Sequence, residues 1–151
     1  MTIELPRSGP AILVVDDEPR ILSALQRSLR REGYQLFTSE SVQEALVLLS
    51  SRSFDLVVSD HKMPGMSGIQ FLEEVARLQP DVPRLLITGW TEEIPMEELR
   101  RVGACALITK PWDDARLKAT LRRALGMEPV ETPTEWSSAG SSSSSQESRL
   151  R

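Results

Sequence analysis

Residues 11–19 read AILVVDDEP, and this stretch indicates both a buried strand and a polar site at its end. The apolar run Ala11–Val15 has a common strand length, and its lack of polar alternation is typical of a strand covered on both faces. Asp16 and Asp17 follow directly. Pro19 suits the first turn of a helix, where no intrahelical partner for its missing N–H is needed. We interpret the stretch as a strand, an acidic loop and the start of a helix.

The same alternation of short apolar runs and helical segments continues to Gly126. Four further runs of about five residues lie along the chain, a common strand length. Between them apolar residues recur every three or four positions, which predicts helices with one buried face. The further strands are predicted at Tyr34–Thr38, Phe54–Val58, Arg84–Thr88 and Ala104–Ile108.

Several residues fit the ends of the predicted helices. Gly33 is predicted to close the first helix, since glycine adopts the left-handed conformation that ends many helices. Ser41 and Glu44 have capping-box spacing at the start of the second helix. Pro95 delays the start of the fourth helix, which leaves about one to two turns before Gly103.

Five strands that alternate with five helices predict an α/β fold. This alternation is typical of a parallel sheet with helices on both faces and right-handed crossovers. Five strands fit the flavodoxin-like member of the two common doubly wound topologies. We therefore predict a doubly wound, five-stranded parallel sheet of order 2-1-3-4-5 with five helices.

A change of composition near Gly126 divides the chain into three predicted parts. These are an N-terminal extension at 1–10, one folded domain at 11–126 and a disordered serine-rich tail at 127–151. Serine supplies eight of the last 25 residues. Large apolar side chains are too few there to offset the conformational entropy that folding would cost. A docking peptide centred on Trp136 is the alternative interpretation of the tail.

The overall composition excludes several classes of protein. With 40% hydrophobic and 26% charged residues, the 151-residue chain resembles an average globular protein. A net charge of −4 offers no clustered positive charge for phosphates, so no nucleic-acid partner is predicted. No apolar run approaches the roughly 20 residues of a membrane helix, and no export signal is visible, so we predict a cytoplasmic protein without membrane contact.

The chain contains one cysteine and one histidine. Cys105 therefore cannot form an intramolecular disulfide, and it is predicted as a small core residue of the fifth strand. His61 excludes a metal site built on two histidines, and it is predicted as a loop residue.

Polar side chains fall at the carboxyl ends of the predicted strands, where open α/β sheets bind their ligands. Asp16 and Asp17 follow the first strand, and Asp60 follows the third. Because these strands are neighbours in the predicted order, we expect the three carboxylates to converge. Thr88 at the end of the fourth strand and Lys110 after the fifth strand flank them.

Three carboxylates in one site repel each other. Two unit charges about 4 Å apart cost roughly 4 kcal/mol at an effective dielectric constant near 20, so cationic groups must offset them. Lys110 supplies one positive charge, and a divalent ion would supply two. Carboxylate oxygens with water completing the coordination shell suit Mg²⁺, which we predict as the cofactor.

Four segments of the chain resemble the receiver domains of response regulators in two-component signalling. They occur in the family's order at successive strand ends, and the resemblance covers about 11–126. The segments are ILVVDDEP at 12–19, DLVVSDHKMPGMSG at 55–68, LLITG at 85–89 and ITKPWDD at 108–114.

The resemblance implies a role for each acidic residue. Asp60 corresponds to the phosphoacceptor, which takes a phosphoryl group from a sensor histidine kinase or a phosphotransfer protein. Asp16 and Asp17 correspond to the acidic pair that holds Mg²⁺, with Asp60 and the backbone carbonyl of Lys62 as further ligands.

The resemblance also implies how the phosphate is sensed. Thr88 corresponds to the switch hydroxyl that turns towards the phosphoryl group. Lys110 corresponds to the lysine that pairs with phosphate, and Pro111 to the cis-proline that often follows it. Lys62 and Trp90 occupy positions that tune the lifetime of the phosphate in receivers.

One position departs from the family pattern. Receivers usually have Tyr or Phe three residues before the site lysine, and the ring moves inward when the switch residue turns. Here that residue is Leu107, and Pro95 alters the same face by shortening helix 4. We expect the phosphorylation chemistry to survive. The surface of helix 4, strand 5 and helix 5, through which a downstream protein partner would bind, is expected to be non-standard.

We therefore expect a stand-alone receiver that acts as a phosphoacceptor switch, and not an enzyme with a separate substrate. The alternative is a pseudo-receiver, an interaction module that keeps the fold without phosphorylation; Leu107 favours it slightly and the complete acidic set opposes it. A flavin carrier is disfavoured, because Asp-Asp-Glu-Pro after the first strand would repel a phosphate. A hydrolase of the aspartyl-phosphate type would need Asp-x-Asp at that point and a cap domain.

Overall fold

A single parallel sheet forms the centre of the protein in this computed structural model, which describes residues 9–89 and 93–127. Within these residues the sheet has five strands in the order β2-β1-β3-β4-β5. The predicted fold class and strand order are therefore confirmed. The strands are β1 (Ala11–Val15), β2 (Gln35–Ser39), β3 (Leu56–Asp60), β4 (Arg84–Gly89) and β5 (Ala104–Lys110).

Helices alternate with the strands and cover both faces of the sheet. One core layer joins the sheet to the second, third and fourth helices, and the other joins it to the first and fifth. No helix in the described part of the chain is long and apolar enough to cross a membrane. The helices are α1 (Pro19–Ser28), α2 (Val42–Ser51), α3 (Gly68–Leu78), α4 (Met96–Arg101) and α5 (Asp114–Ala124).

The apolar run of β1 explains why this strand lies near the middle of the sheet. All five of its residues are buried. Successive side chains of a strand point to opposite faces, so Leu13 and Val15 enter one core layer while Ile12 and Val14 enter the other. A continuous apolar run can satisfy both layers only where helices cover both faces.

Two strands begin later than the hydrophobic pattern predicts. β2 begins at Gln35 instead of Tyr34, and β3 begins at Leu56 instead of Phe54. Phe54 is buried and packs edge-on against Phe37 with ring centroids 5.4 Å apart, while its N–H donates to a glutamine side chain instead of a strand. Apolar character therefore marks burial at this position, and the hydrogen-bonded ladder starts two residues later.

The ends of the helices follow the predicted signals, except that Gly33 closes a 3-10 turn after α1 instead of α1 itself. α1 ends at Ser28, and a 3-10 turn at Arg30–Glu32 leads to Gly33, which closes that turn with φ 84°. Ser41 caps α2 by accepting the N–H of Glu44 at 3.2 Å. The fourth helix is short, six residues after Pro95, as predicted.

The predicted core position of Cys105 is wrong. Cys105 is exposed on β5, whereas its neighbours Ala104 and Ala106 are buried. β5 is an edge strand in the described sheet, and its residues alternate between buried and more accessible positions. The two-residue period of a strand therefore decides the exposure of this small side chain.

Some predictions fall on residues outside the described ranges. They concern most of the N-terminal extension (1–8), Trp90 as a residue that tunes phosphate lifetime, and the tail after Met127 with Trp136.

The buried face of α3 provides a test of the core. Phe71 has no exposed surface, whereas Val47 on α2 is 67% exposed. We expect Phe71→Ala to lower the free energy of unfolding by about 3–5 kcal/mol, because it removes a large apolar side chain and leaves a cavity. Val47→Ala is the matched control and should change it by less than about 0.5 kcal/mol. Chemical denaturation measures both, and equal effects of the two substitutions would contradict this placement of the core.

Candidate functional site

Three carboxylates meet at the carboxyl end of the sheet. Asp16 and Asp17 follow β1, and Asp60 is the last residue of β3. β1 and β3 pair directly, with Val15 opposite Ser59, so the next residue of each strand carries a carboxylate at the same edge. One oxygen from each of the three aspartates lies within 4.8 Å of the others. The convergence expected from the strand order is therefore present.

The three carboxylates differ in exposure. Asp16 is 1% exposed and Asp60 is 4% exposed, whereas Asp17 is exposed. Burying an ionised carboxylate is unfavourable unless charges or hydrogen bonds compensate it. The two buried groups therefore require partners within the protein or a bound cation.

Lys110 supplies the positive charge closest to the buried pair. Its Nζ lies 2.9 Å from Oδ1 of Asp60 and 3.4 Å from Oδ2 of Asp16. Burial lowers the pKa of Lys110, but the hydrogen bond to Asp60 and the charges of both aspartates outweigh this effect and raise the pKa above its usual value. The ammonium group is therefore held in its charged form. The peptide bond that follows, Lys110–Pro111, is cis, as the resemblance implies.

The ionised form of Asp16 remains unfavourable despite the nearby charge of Lys110. Burial is the largest influence and raises its pKa from the usual 3.8 to about 6, and the charge of Asp60 acts in the same direction. The N–H of Glu18, which donates to Oδ1 of Asp16 at 2.9 Å, and the charge of Lys110 oppose the rise. Without a further cation, Asp16 thus holds a proton more readily than an ordinary aspartate.

The donor set fits a hard divalent cation. Oδ2 of Asp16 is buried and has an ion-pair contact with Nζ of Lys110 at 3.4 Å, but it accepts no well-directed hydrogen bond from the described residues. Three ionised carboxylates and one lysine leave a formal charge of −2 at the site, which a divalent ion would neutralise. Carboxylate oxygens are the ligands that Mg²⁺ prefers. Asp16, Asp17 and Asp60 are the side chains that could hold it.

Thr88 and Leu107 lie on the two strands beyond Asp60. Asp60 is paired with Ile87, so Thr88 extends one residue further along β4, where it is 3% exposed. Leu107 on β5 is half-buried and packs against the core layer that contains Leu99 of α4. The switch residue proposed from the sequence and the leucine that departs from the pattern therefore lie on adjacent strands.

Two other residues considered in the sequence analysis lie in the loop after β3. Lys62 is exposed, two residues after Asp60. His61 belongs to the same loop, as predicted, and its backbone N–H donates to Ile87 at 3.0 Å. The loop therefore begins with one further hydrogen bond to β4 before it leaves the sheet.

The backbone at Gly68 leaves no room for a side chain. A Cβ at this position would lie 2.3 Å from the backbone oxygen of Asp60 and 2.8 Å from Cα of His61. Gly68 also donates its N–H to the carbonyl of His61 at 2.7 Å. The start of α3 therefore packs directly onto the backbone of Asp60. The only sequence signal was a glycine at the first position of a predicted helix.

The hydroxyl of Ser59 is a second contact that the sequence did not reveal. Ser59 is fully buried and donates its hydroxyl hydrogen to the carbonyl of Asp60 at 2.8 Å. The backbone oxygen of Asp60 is thus held by its preceding neighbour on one side and approached by Gly68 on the other.

Comparison with known proteins agrees with this geometry. Residues 12–122 match the model of the response regulator receiver domain family. The chain therefore belongs to the response regulator receiver domain family of two-component systems.

Two curated relatives and one solved structure illustrate the similarity. The hydrogenase transcriptional regulatory protein HoxA of Cupriavidus necator is 36% identical over 115 residues, which are 76% of this chain and 24% of HoxA. The transcriptional regulatory protein ZraR of Escherichia coli O157:H7 is 38% identical over 125 residues, or 81% of this chain and 28% of ZraR. The chain thus spans about a quarter of the length of these two relatives.

The solved structure is the signal receiver domain of an HD domain-containing protein from Pseudomonas fluorescens Pf-5. It superposes with a TM-score of 0.73 at 36% identity, and the match covers 80% of this chain and 96% of that chain. The fold described above is therefore shared over nearly the whole of that receiver domain.

The buried carboxylate of Asp16 should lower stability when no divalent cation is bound. A pKa raised from 3.8 to about 6 corresponds to roughly 3 kcal/mol. Between these pH values the folded protein binds a proton that the unfolded chain has released, so stability rises as pH falls from about 6 to about 4. We expect Asp16→Asn in EDTA to raise the free energy of unfolding by about 1–3 kcal/mol at neutral pH, and we expect this gain to shrink through that window.

Denaturant titrations at several pH values would measure the effect of Asp16→Asn. Asp17→Asn at the exposed neighbouring position is the matched control, and it should gain much less. A gain for Asp16→Asn that does not change with pH would contradict the assignment.

Proposed function

We propose that this chain is a phosphoacceptor switch in which Asp60 receives the phosphoryl group. The observation that supports this function is the buried carboxylate of Asp60 at the end of β3, with Nζ of Lys110 at 2.9 Å. Two further carboxylates lie within 4.8 Å of it. Phosphoryl transfer requires a nucleophile next to positive charge that stabilises the transferred group. Here the ammonium group of Lys110 supplies one positive charge, and the neighbouring carboxylates could hold a cation.

The proposed reaction needs no general base. An oxygen of Asp60 attacks the phosphorus of a phosphohistidine on a kinase or phosphotransfer protein, and a P–O bond forms while the P–N bond breaks. The histidine nitrogen keeps the electron pair and takes its proton from water. The product on this chain is an aspartyl phosphate. Because the carboxylate already carries the attacking electron pair, the protein mainly positions charges around the transferred group.

We propose that Asp16, Asp17, Asp60 and the backbone carbonyl of Lys62 hold Mg²⁺. When bound, the ion supplies positive charge that offsets the repulsion between the carboxylates and the phosphoryl oxygens. The buried Oδ2 of Asp16, which has an ion pair with Lys110 but accepts no hydrogen bond, supports this assignment, as does the raised pKa of its carboxyl group. A bound cation would favour the ionised form of Asp16, which burial alone disfavours.

Lys110 and Thr88 are proposed to detect the product. The ammonium group of Lys110, now paired with two carboxylates, would also pair with phosphoryl oxygens. The buried hydroxyl of Thr88 is at the end of the strand next to Asp60, where a turn of its side chain would reach the same oxygens. Changing the ratio of two conformations from 1:99 to 99:1 requires that the phosphoryl group stabilise one conformation more than the other by about 5.5 kcal/mol.

The proposed output surface consists of α4, β5 and α5. Leu107 is half-buried there against the layer that contains Leu99 of α4. A leucine can shift between two packings, but it has no ring or hydroxyl that reports the change. We propose that a downstream protein binds this face and that the coupling from Thr88 passes through the packing of Leu107. Lys62 and Trp90 remain the proposed positions that set phosphate lifetime.

The wider context of the chain belongs to the same proposal. HoxA and ZraR are named as transcriptional regulatory proteins, and this chain corresponds to about a quarter of each. A sensor histidine kinase or a phosphotransfer protein is the proposed phosphodonor. The stand-alone arrangement, the absence of a separate enzyme substrate and the absence of nucleic-acid binding stay predictions. The competing function is a pseudo-receiver without phosphorylation, which Leu107 favours slightly and the complete acidic set opposes.

Intact-protein mass spectrometry would test the phosphoacceptor role. Incubation with acetyl phosphate and Mg²⁺ should add the mass of one phosphoryl group. Asp60→Ala, which removes the nucleophile, and EDTA, which removes the cation, should each abolish the gain. No gain in the unmodified chain, even with a panel of phosphorylated histidine kinases, would favour the pseudo-receiver.

Substitution of Thr88 would separate phosphorylation from its conformational effect. We expect Thr88→Ala to gain the phosphoryl group but to lose most of the change in the amide NMR signals of Ala106 and Leu107. Thr109→Ala is the matched control, because Thr109 lies opposite Thr88 in the β4–β5 register but is exposed. If the Thr88 variant responds like the unmodified chain, the hydroxyl of Thr88 is not part of the switch.

A further inference from the structure

A groove runs along the open edge of β5 beside α5. It has a volume of about 310 Å³. The described sheet places β4 on one side of β5 and no strand on the other, which leaves a seven-residue edge uncovered. Proteins usually cover, shorten or charge such edges, because unpaired backbone groups invite other chains to bind. The groove is therefore a place where a covering segment is expected.

The lining of the groove combines an apolar floor with a polar rim. Leu107, Trp112 and Leu117 provide apolar surface, and Asp113, Arg116 and Thr120 provide polar groups. The volume lies at the low end of the range for small-molecule sites. That size suits one aromatic side chain better than a bulky ligand. An indole would suit this lining, since it presents a large apolar surface together with one N–H donor.

The chain itself carries such a side chain nine residues after Met127, the last residue that the structure describes. After Met127 the sequence continues EPVETPTEW, which ends at Trp136. Tryptophan is the only aromatic residue type after Met127, and Trp136 was the centre of the docking alternative for the tail. The phosphoacceptor function assigns no role to this segment.

The length of the segment is sufficient to reach the groove. From Arg116 to Met127 an α-helical path rises about 1.5 Å per residue, or roughly 17 Å in all. The nine residues from Glu128 to Trp136 can span up to about 30 Å when extended. A chain that turns back at Gly126, where φ is 73°, can therefore run beside α5 and place Trp136 at the groove.

Charge along this path is complementary. α5 carries four basic residues and one acidic residue, whereas the segment from Glu128 to Trp136 carries three glutamates and no basic residue. Arg116 and Thr120 line the groove, and the helical spacing places Arg123 on the same face of α5, about one turn beyond the groove. Glu131 and Glu135 would pass these arginines before Trp136 is reached.

We propose that the segment 128–136 docks in cis on this groove, with Trp136 between β5 and α5 and its glutamates beside Arg116 and Arg123. The docked segment covers the edge of β5 and the accessible side of Leu107. It therefore occupies part of the surface proposed for a downstream partner. The docking itself does not depend on phosphorylation of Asp60, so it is tested in the unphosphorylated chain without a phosphodonor.

Amide NMR spectra of the complete chain would test the proposal. Trp136→Ala should shift the signals of Leu107, Thr109 and Thr120 but leave Leu36 on the opposite edge of the sheet unchanged. Trp136→Phe should retain most of the original signals, because it keeps an aromatic side chain. Ser143→Ala is the control within the tail and should change none of them. Shifts confined to the neighbours of residue 136 would overturn the proposal and leave the groove to another protein.

Charge reversal and dilution provide a second, independent test. Arg116→Glu should produce the same pattern of shifts as Trp136→Ala, and adding Glu135→Lys to Arg116→Glu should restore part of the original spectrum. The signals should not change when the protein is diluted 100-fold, because the contact is within one chain. Concentration-dependent signals together with a dimeric mass in light scattering would mean that a second copy fills the groove, and the proposal in cis would be wrong.

Discussion

The ion pair between Lys110 and the buried carboxylates of Asp60 and Asp16 is the interaction on which the site depends. Nζ of Lys110 lies 2.9 Å from Asp60 and 3.4 Å from Asp16, so the ends of β1, β3 and β5 are joined by charge as well as by the sheet. One lysine cannot neutralise all the nearby carboxylates. The remaining negative charge is what a divalent cation would offset, and the proposed phosphoacceptor function rests on this property of the site.

The burial of the Asp16 carboxylate lowers the stability of the metal-free domain. A core of apolar side chains on both faces of the sheet supports a site in which Asp16 is held with its pKa raised to about 6. Buried groups whose charge is only partly compensated are sensitive to any new charge placed among them. In the proposed switch, the same burial that makes the metal-free site unfavourable would let a bound ion or a phosphoryl group change the interactions of Thr88 and Lys110.

Much of the fold was predictable because its signals are local and repeated. The apolar run of β1, the proline that starts α1 and the short fourth helix after Pro95 each followed from one stretch of sequence. Phe54 shows where such reasoning fails: it is buried like a strand residue but lies outside the ladder, because burial and strand pairing are separate constraints. The prediction for Cys105 is wrong for a related reason: its exposure depends on which face of the edge strand β5 its side chain lies on.

The sequence by itself determined the strand order and which carboxylates converge, because parallel strands in a doubly wound sheet bring their carboxyl ends to one edge. Asp16, Asp17 and Asp60 therefore meet because β1 and β3 are neighbours in the sheet, whatever the packing of the helices. Only the tertiary structure decided which carboxylates are buried, how closely Lys110 approaches them and why Gly68 cannot carry a side chain. These properties arise from contacts between segments distant in sequence, and their distances depend on how helices and strands pack together.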